Sequence, residues 1–426
     1  MSLDSLRARR LLETLPSLAE AGARLAPDPS PLPPRIANSA DTAPAALERR
    51  WQQLPAAARP ARAALLPDAA APLAAACARN IENLIGFVSV PVGVAGPLRV
   101  RGLHAEGDYY VPLATTEAAL VASYNRGAQA ISEAGGCAAV LLNEGVTRSP
   151  GFVFASLADC GRFAAWVVTR TEELRAVAAT TTRHGRLEDV RLAIEGDHLY
   201  LHLDYSTGDA AGQNMVTLAT AAVCAHLLAH APVAPLRHYV EANMSGDKKA
   251  SAQSFQSVRG KKVTAEILLP ASLVARRLRT DALAMEHYWR MSAMGGVLSG
   301  TLGVQGHYAN GLAALFLATG QDVACVAEAA VGVTRMEARA DGALYAAVTL
   351  PNLIVGTVGG GTGLPAQAAA LDLLGLRGAG HARALAEVAA ALCLAGELSI
   401  IAALSAGHFA SAHAKLARGA GRPPER

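Results

Sequence analysis

The stretch from Pro150 to Tyr239 constrains the fold most, because its apolar residues switch repeatedly between strand-like alternation and helical spacing. "GFVFASL" alternates as a strand and "CGRFAAWVVTRTEELRAVA" carries an amphipathic helical pattern. "EDVRLAIEGDHLYLHLDYS" folds back on itself at Glu195-Gly196-Asp197, and "NMVTLATAAVCAHLLAHA" is helical again. The order β, α, β, β, α predicts a small split-βαβ unit. Within "HLYLHLDY" the period of two puts His198, Tyr200, His202 and Asp204 on one face, so His202 is expected at the surface and without chemistry.

The flanks have a different character. "PDPSPLPP", residues 27 to 34, supports neither helix nor sheet and reads as a linker, with Ala/Leu-rich helical residues around it up to about residue 75. From Asn80 to Leu98, "NIENLIGFVSVPVGVAGPL" brings apolar β-type residues punctuated by Gly and Pro, and a larger domain begins there. After residue 240 the chain returns to long Ala- and Gly-rich helices. A chain of 426 residues exceeds what one core sustains, so more than one domain is expected. "ALCLAGELSIIAALSAGHFA" holds Glu397 amid small apolar residues and reads as a buried helix, not a membrane span. The opening "MSLDSLRARRLLETL" lacks the apolar core of an export signal.

Charge narrows the chemistry. A net charge of +3 with 17% charged residues argues against a nucleic-acid surface, but leaves room for a few cations facing a phosphorylated small molecule. Six cysteines without a CxxC pair argue against a metal site or a disulfide scaffold and fit a reducing cytoplasm.

Several short stretches concentrate functional side chains. "EANMSGDKKASAQS" sets two lysines after a turn-prone run, and "STGDAAGQNMV" presents Gly208, Asp209, Gly212 and Asn214 between a strand and a helix, where free N–H groups attract phosphate. "GTVGGGTGLPAQ" lacks the lysine of a nucleotide P-loop. "PLATTEAALVASYNRG" places Glu117 in an expected first helical turn, "TGQDVAC" places Asp322 at a helix start, and "SAGHFASAHAKLARGAGR" holds His408 and His413. Taken singly, each also reads as a cap or a solvated turn.

Taken in order, "ENLIGFVSVPVGVAGPL", "ATTEAALVASYNRG", "GDAAGQNMV", "DKKAS" with "RGKKVTAEI", "GHYANGLAALFLATGQD", "GTVGGGTG" and "GHFASAHAKLAR" make the chain resemble the hydroxymethylglutaryl-CoA reductase family from about Asn80 to Arg418. The resemblance is to soluble prokaryotic members of the biosynthetic class (class I). It implies reduction of a thioester to an alcohol by two hydride transfers from a reduced nicotinamide, giving mevalonate and CoA. Motif matching carries over Glu117, Lys248, Asp322 and His413 as catalytic residues, with Lys248 stabilising the oxyanion and Asp322 keeping it charged. Arg148, Asp247, Arg290 and Asn310 match positions around the hydroxymethylglutaryl group; Asn125 and Arg126 match a CoA-contacting segment. Arg183, Asp209, Gly212, Asn214 and Arg418 match cofactor positions, and the two arginines favour NADPH over NADH. No metal is implied.

Departures from the family pattern are Ala118 for a glycine, Arg290 for a lysine and Glu241 for a serine. They keep open one alternative, a reductase of another branched 3-hydroxyacyl-CoA; a second, a non-catalytic acyl-CoA-binding homologue, is set against the presence of Glu117, Lys248, Asp322 and His413 together. The expected fold is α+β: a helical segment over 1–79, a large helix-rich substrate domain over 80–149 and 241–426, and an inserted ferredoxin-like βαββα cofactor domain over 150–240. The expected assembly is a homodimer or dimer of dimers in the cytoplasm, away from nucleic acid and membranes.

Overall fold

The computed structural model describes residues 39–66, 71–78 and 80–407. The Pro-rich linker, His408, His413 and Arg418 lie outside the described residues. The chain divides into two compact units, Met1–Phe87 and Val88–Arg426.

In the first unit, α1 (Pro44–Gln53) starts on a proline, whose missing N–H is no loss at a first helical position. Its buried Arg50 donates to the carbonyls of Leu84 (2.8 Å) and Asp41 (2.6 Å), and Trp51 Nε1 donates to Ile85 O (2.8 Å). These bonds fasten the segment before Phe87 to α1.

The second unit opens with the hairpin β1 (Val92–Gly102) and β2 (Glu106–Ala114), followed by α2 (Leu120–Glu133) and β3 (Cys137–Arg148). Next come β4 (Gly151–Val153), α3 (Leu157–Val167), α4 (Thr171–Ala179), β5 (Arg186–Glu195), β6 (His198–Ser206), α5 (Gln213–His230) and β7 (Arg237–Tyr239). The chain continues through β8 (Gly260–Leu269), α6 (Ala282–Ser299), β9 (Gly303–Val304), α7 (Tyr308–Thr319), β10 (Gly332–Ala338), β11 (Leu344–Leu353), α8 (Pro365–Leu374) and α9 (Ala382–Ser405). Strand order is β7-β4-β6-β3-β8-β11-β10-β9, with β1 beside β3 and β5 beside β6.

One long strand joins the two parts of this network. β3 pairs with β8 over Ala138–Gly145 and with β6 over Val146–Arg148. The βαββα order expected between Pro150 and Tyr239 is present as β4, α3 with α4, β5, β6 and α5. Two details differ from expectation. The single helix of "CGRFAAWVVTRTEELRAVA" breaks at Val168–Arg170, where β-branched residues crowd and Thr169 Oγ1 donates back to Trp166 O at 2.7 Å. His202 is buried, not surface: β6 runs between β5 and the β3–β4 edge, and Ser149 Oγ lies 3.2 Å from His202 Nδ1. Burial holds that imidazole's proton affinity below its ordinary value.

α9 forms the core of this unit, against β3, β8 and β11 on one side and α2, α6 and α7 on the other. It is long and apolar enough to cross a membrane, yet 83% of its most apolar window is buried inside the fold. Its two glutamates explain how: both are fully buried and both are met by N–H donors. Glu387 accepts from Ala105 N (2.7 Å), His104 N (2.8 Å) and Leu141 N (3.2 Å). Glu397, pushed up in pKa by burial, accepts from His307 N (2.7 Å), Gly306 N (2.8 Å) and Thr334 Oγ1 (2.8 Å). α2 approaches α9 so closely that a Cβ on Gly127 would lie 1.9 Å from Ala395 O.

Candidate active site

Lys248 sits in the turn Ser245-Gly246-Asp247-Lys248-Lys249 with a left-handed backbone, φ +56°, which costs a non-glycine residue about 1–3 kcal/mol. The surroundings hold it there. Its Nζ is 2.7 Å from Asp322 Oδ2, and its backbone N–H donates to Glu328 Oε1 at 3.1 Å. The hydrogen bond to Asp322 raises the proton affinity of Lys248, so the amine stays an ammonium. Both side chains are 40% exposed, leaving the pair open to a ligand. Lys249 instead points its Nζ at the carbonyl of Asp247, 2.8 Å away.

Asp322 uses its other oxygen to cap the short helical turn after it, accepting from Ala324 N at 3.0 Å. The residue before it, Gln321, exchanges two bonds of 2.9 Å with the backbone of Gly356. At Gly356 there is no room for a side chain, since a Cβ would lie 2.5 Å from Ala211 N. Thr357 N donates to Asp209 O at 2.8 Å. The stretches "GQD", "GTVGGGTG" and "GDAAG" are therefore one packed body.

Behind Lys248 lies a buried charge network. Arg148 Nη1 donates to Asp247 Oδ2 at 2.8 Å and approaches Glu241 Oε2 at 3.4 Å; its Nη2 donates to Gln213 O at 3.3 Å. Arg259 Nη2 lies 2.8 Å from Asp247 Oδ1, and its Nη1 donates to Glu328 Oε1. Burial tends to raise the Asp247 carboxyl, but Arg259 and Arg148 outweigh it and hold the group below the ordinary carboxylate range. Glu328, fully buried, is pushed up by desolvation against the pull of Arg259.

Glu117 occupies a different position from the one its sequence suggests. It precedes α2 rather than lying in its first turn, because Ala119 is left-handed (φ +70°) and the Glu117 N–H is taken by Thr115 Oγ1 at 3.0 Å. Asn310, in the first turn of α7, donates to Glu117 Oε2 at 3.0 Å. The pair borders a cavity of ≈ 420 Å³ with an apolar wall including Leu120, Ala313, Leu317 and Val326. Among the described residues no hydrogen bond or ion pair joins Glu117 to Lys248 or Asp322.

The remaining expected residues are scattered around this centre. Asn125 Oδ1 accepts from Gly96 N at 3.0 Å, and Arg126 Nε donates to Ser399 Oγ at 3.1 Å. Burial, and then the charge of Arg279, lower the proton affinity of Arg126. Arg290 is exposed on α6 and pairs with Glu286 one turn back. Asp209 spends its carboxylate on the start of α9, accepting from Gly380 N (2.8 Å) and Ala382 N (3.2 Å). Gly212 caps α5 at φ +77°, where a Cβ would meet Thr207 Cγ2 at 2.3 Å, and Asn214 is exposed in the first turn. Arg183 is exposed ahead of β5 and makes no ion pair among the described residues.

Sequence reasoning missed Arg259, Glu328, Gln321 and Arg279. Glu328 had a signal, a lone charge in the apolar run "VACVAEAAVGV"; Arg259 opens the quoted stretch "RGKKVTAEI", but nothing in that stretch gave it a role.

Comparison with known proteins decides the family. The profile described as hydroxymethylglutaryl-coenzyme A reductase matches residues 46–418. The chain belongs to the hydroxymethylglutaryl-coenzyme A reductase family. Among its curated relatives, the 3-hydroxy-3-methylglutaryl-coenzyme A reductase of Methanothermobacter thermautotrophicus is 44% identical over 80% of this chain and 86% of its own length. That of Aeropyrum pernix is 45% identical over 80% of this chain and 82% of its own. In fold, the chain is similar to the class II 3-hydroxy-3-methylglutaryl-CoA reductase of Streptococcus pneumoniae, solved bound to NADPH (TM-score 0.61, 22% identity, 83% of this chain and 98% of that one). As a member of the hydroxymethylglutaryl-coenzyme A reductase family, this chain is an enzyme, an oxidoreductase acting on 3-hydroxy-3-methylglutaryl-CoA.

Proposed function

We propose that the chain converts 3-hydroxy-3-methylglutaryl-CoA to mevalonate and CoA in two reductive steps, with Lys248 as the electrophile in both. The observation that carries this reading is the ion pair of Lys248 with Asp322, 2.7 Å long and half open to solvent. As negative charge builds on the former carbonyl oxygen, a fixed ammonium facing it stabilises the transition state more than the ground state. Asp322 keeps Lys248 charged and Glu117, steadied by Asn310, delivers a proton to the oxygen. Arg148 and Asp247 hold the hydroxymethylglutaryl group beside them, and Arg290 supplies a cation for its carboxylate. His413 protonates the departing CoA thiolate, which prevents its return to the aldehyde.

Reduced nicotinamide, when bound, supplies the hydride. The start of α5 suits it: no side chain caps its first turn, Asn214 is exposed there, and Gly212, packed on Thr207, turns the chain into that end at φ +77°. Asp209 shapes this loop through its bonds to the start of α9. Arg183, with Arg418, provides charge for a 2′-phosphate, which favours NADPH. Arg126 and Arg279 bring two guanidiniums together, and Arg279 makes no ion pair among the described residues; the phosphates of CoA match them.

α6 exposes Met291 (76%), Val297 (71%) and Leu298 (82%), an apolar face that supports a homodimer or dimer of dimers. All six cysteines are free and buried, in keeping with a reducing cytoplasm. The division into a substrate domain over 80–149 and 241–426 and a cofactor domain over 150–240 fits β3 as the strand they share.

The test is purified protein with 3-hydroxy-3-methylglutaryl-CoA, following NADPH and NADH oxidation and identifying the product. Mevalonate with faster NADPH use supports the reading; no turnover refutes it. His413→Gln is expected to slow thioester reduction while sparing reduction of added mevaldehyde in the presence of CoA. Equal losses would remove His413 from the thiolate step. Glu241, a carboxylate on Arg148, favours a second reading in which another branched 3-hydroxyacyl-CoA is preferred, and substrate competition separates the two.

A further inference from the structure

Lys248 is gripped at two points by one short stretch of chain. Asp322 holds its Nζ at 2.7 Å, and Glu328, six residues further on, takes its backbone N–H at 3.1 Å. Glu328 is fully buried, and its negative charge is met by Arg259, itself 3% exposed. Arg259 spans from Glu328 to Asp247, the residue before Lys248, reaching Asp247 Oδ1 at 2.8 Å. The other oxygen of Asp247 is held by Arg148 at 2.8 Å. A left-handed residue following a clamped aspartate thus has its amide fixed by a buried carboxylate, while its ammonium alone reaches solvent.

We propose that Glu328 and Arg259 are positioning residues for Lys248. They hold the turn in its left-handed form when a substrate oxygen draws the ammonium away from Asp322. The inference rests on the reading of Lys248 as the electrophile. Two features separate it from mere core packing. Burying a Glu–Arg pair is not in itself a stabilising choice, since an apolar pair of similar volume serves a core as well or better. Moreover, Glu328 Oε1 receives both the Arg259 guanidinium and the Lys248 amide, so the pair is coupled to the turn and not only to itself. Neither residue touches substrate in this role; both act through Lys248.

The experiment is a double-mutant cycle read by single turnover with enzyme in excess, so that slow residual rates are measured. Glu328→Ala is expected to lower the hydride-transfer rate about 10- to 100-fold in both the thioester and the mevaldehyde step, with KM for substrate and cofactor little changed. Glu328→Gln, which keeps a carbonyl acceptor for the Lys248 amide, recovers part of that loss. In a Lys248→Ala background, adding Glu328→Ala lowers the rate no further, although the melting temperature still falls. A loss from Glu328→Ala that is equal in both backgrounds, or that appears in KM rather than in the rate, overturns the proposal. If Lys248→Ala alone retains the wild-type rate, the reading of Lys248 fails first, and the single mutants distinguish that result. Should Glu328→Ala not fold, the same cycle is run with Glu328→Gln.

Discussion

Gly127→Ala tests how the functional residues of α2 are held in place. The added Cβ would lie 1.9 Å from Ala395 O, 2.5 Å from its carbonyl carbon and 2.8 Å from its Cα, all backbone atoms of α9 that no rotamer change can move aside. Relief requires α2 and α9 to part by about an ångström, and overpacking of this kind costs about 1–3 kcal/mol by itself. The displacement also stretches Ser123 Oγ to Ser399 Oγ (2.9 Å) and Arg126 Nε to Ser399 Oγ (3.1 Å) beyond bonding distance. At about 1 kcal/mol for the neutral bond and about 1.5–3 for the charged one, the total becomes roughly 4–7 kcal/mol. A domain of ordinary stability has only about 5–15 kcal/mol to lose. Urea denaturation followed by circular dichroism should show a collapsed midpoint, and the affinity for CoA should fall as Arg126 loses its anchor. Ala128→Gly, a neighbouring buried site, should cost about 2 kcal/mol, half from helix propensity and half from the lost buried methyl. A Gly127→Ala protein within about 1 kcal/mol of wild type would refute the close helix crossing on which the argument stands.

Three further outcomes are expected. Lys248→Ala should lower kcat by about 10²- to 10³-fold, the cost of losing one preorganised charge donor, while Lys249→Ala, whose Nζ only meets the Asp247 carbonyl, should cost far less; equal losses would show that the wrong lysine was chosen. Arg183→Ala should raise KM for NADPH much more than for NADH, with the difference shrinking as salt rises; parallel changes would remove Arg183 from the 2′-phosphate. Burial lowers the pKa of His307, stacked on Tyr124, from 6.5 to about 4, so the unfolded chain binds the extra proton between those values and stability falls as pH drops through that window. His307→Phe should therefore flatten the loss of thermal stability over that interval, and an unchanged slope would sink the assignment.

The parts of the site that were legible in the sequence are those carried by contiguous turns. "DKKAS" and "GQD" each place a functional group by local backbone geometry, and the structure joins them in the Lys248–Asp322 pair. The split-βαβ order was legible too, because periodicity reports which residues share a face. What periodicity cannot report is whether the opposite face is also covered, and this is why His202 was expected in solvent. Glu117 was expected inside a helix because a Thr-Thr pair resembles a cap, whereas the left-handed Ala119 delays α2 by a few residues. The pairing of Arg259, which opens "RGKKVTAEI", was illegible for a different reason. Its partners Asp247 and Glu328 come from two separate segments, so only the folded chain brings them together.

α9 also sets the time at which the molecule can be complete. Glu387 is the acceptor for amides of the β1–β2 turn as many as 283 residues earlier in the chain. A ribosome adding about 5–20 residues per second takes roughly 15 to 60 seconds to cover that distance. Within that interval β3, then β8, then β11 are made before the helix that covers them, and the N–H groups of His104 and Ala105 wait for their carboxylate. When the covering segment does emerge, it is itself apolar enough to be taken for a membrane span. Newly made chains should therefore depend on a holding chaperone until α9 docks, and interrupting synthesis before Ala382 should leave a product that aggregates even though every strand is present.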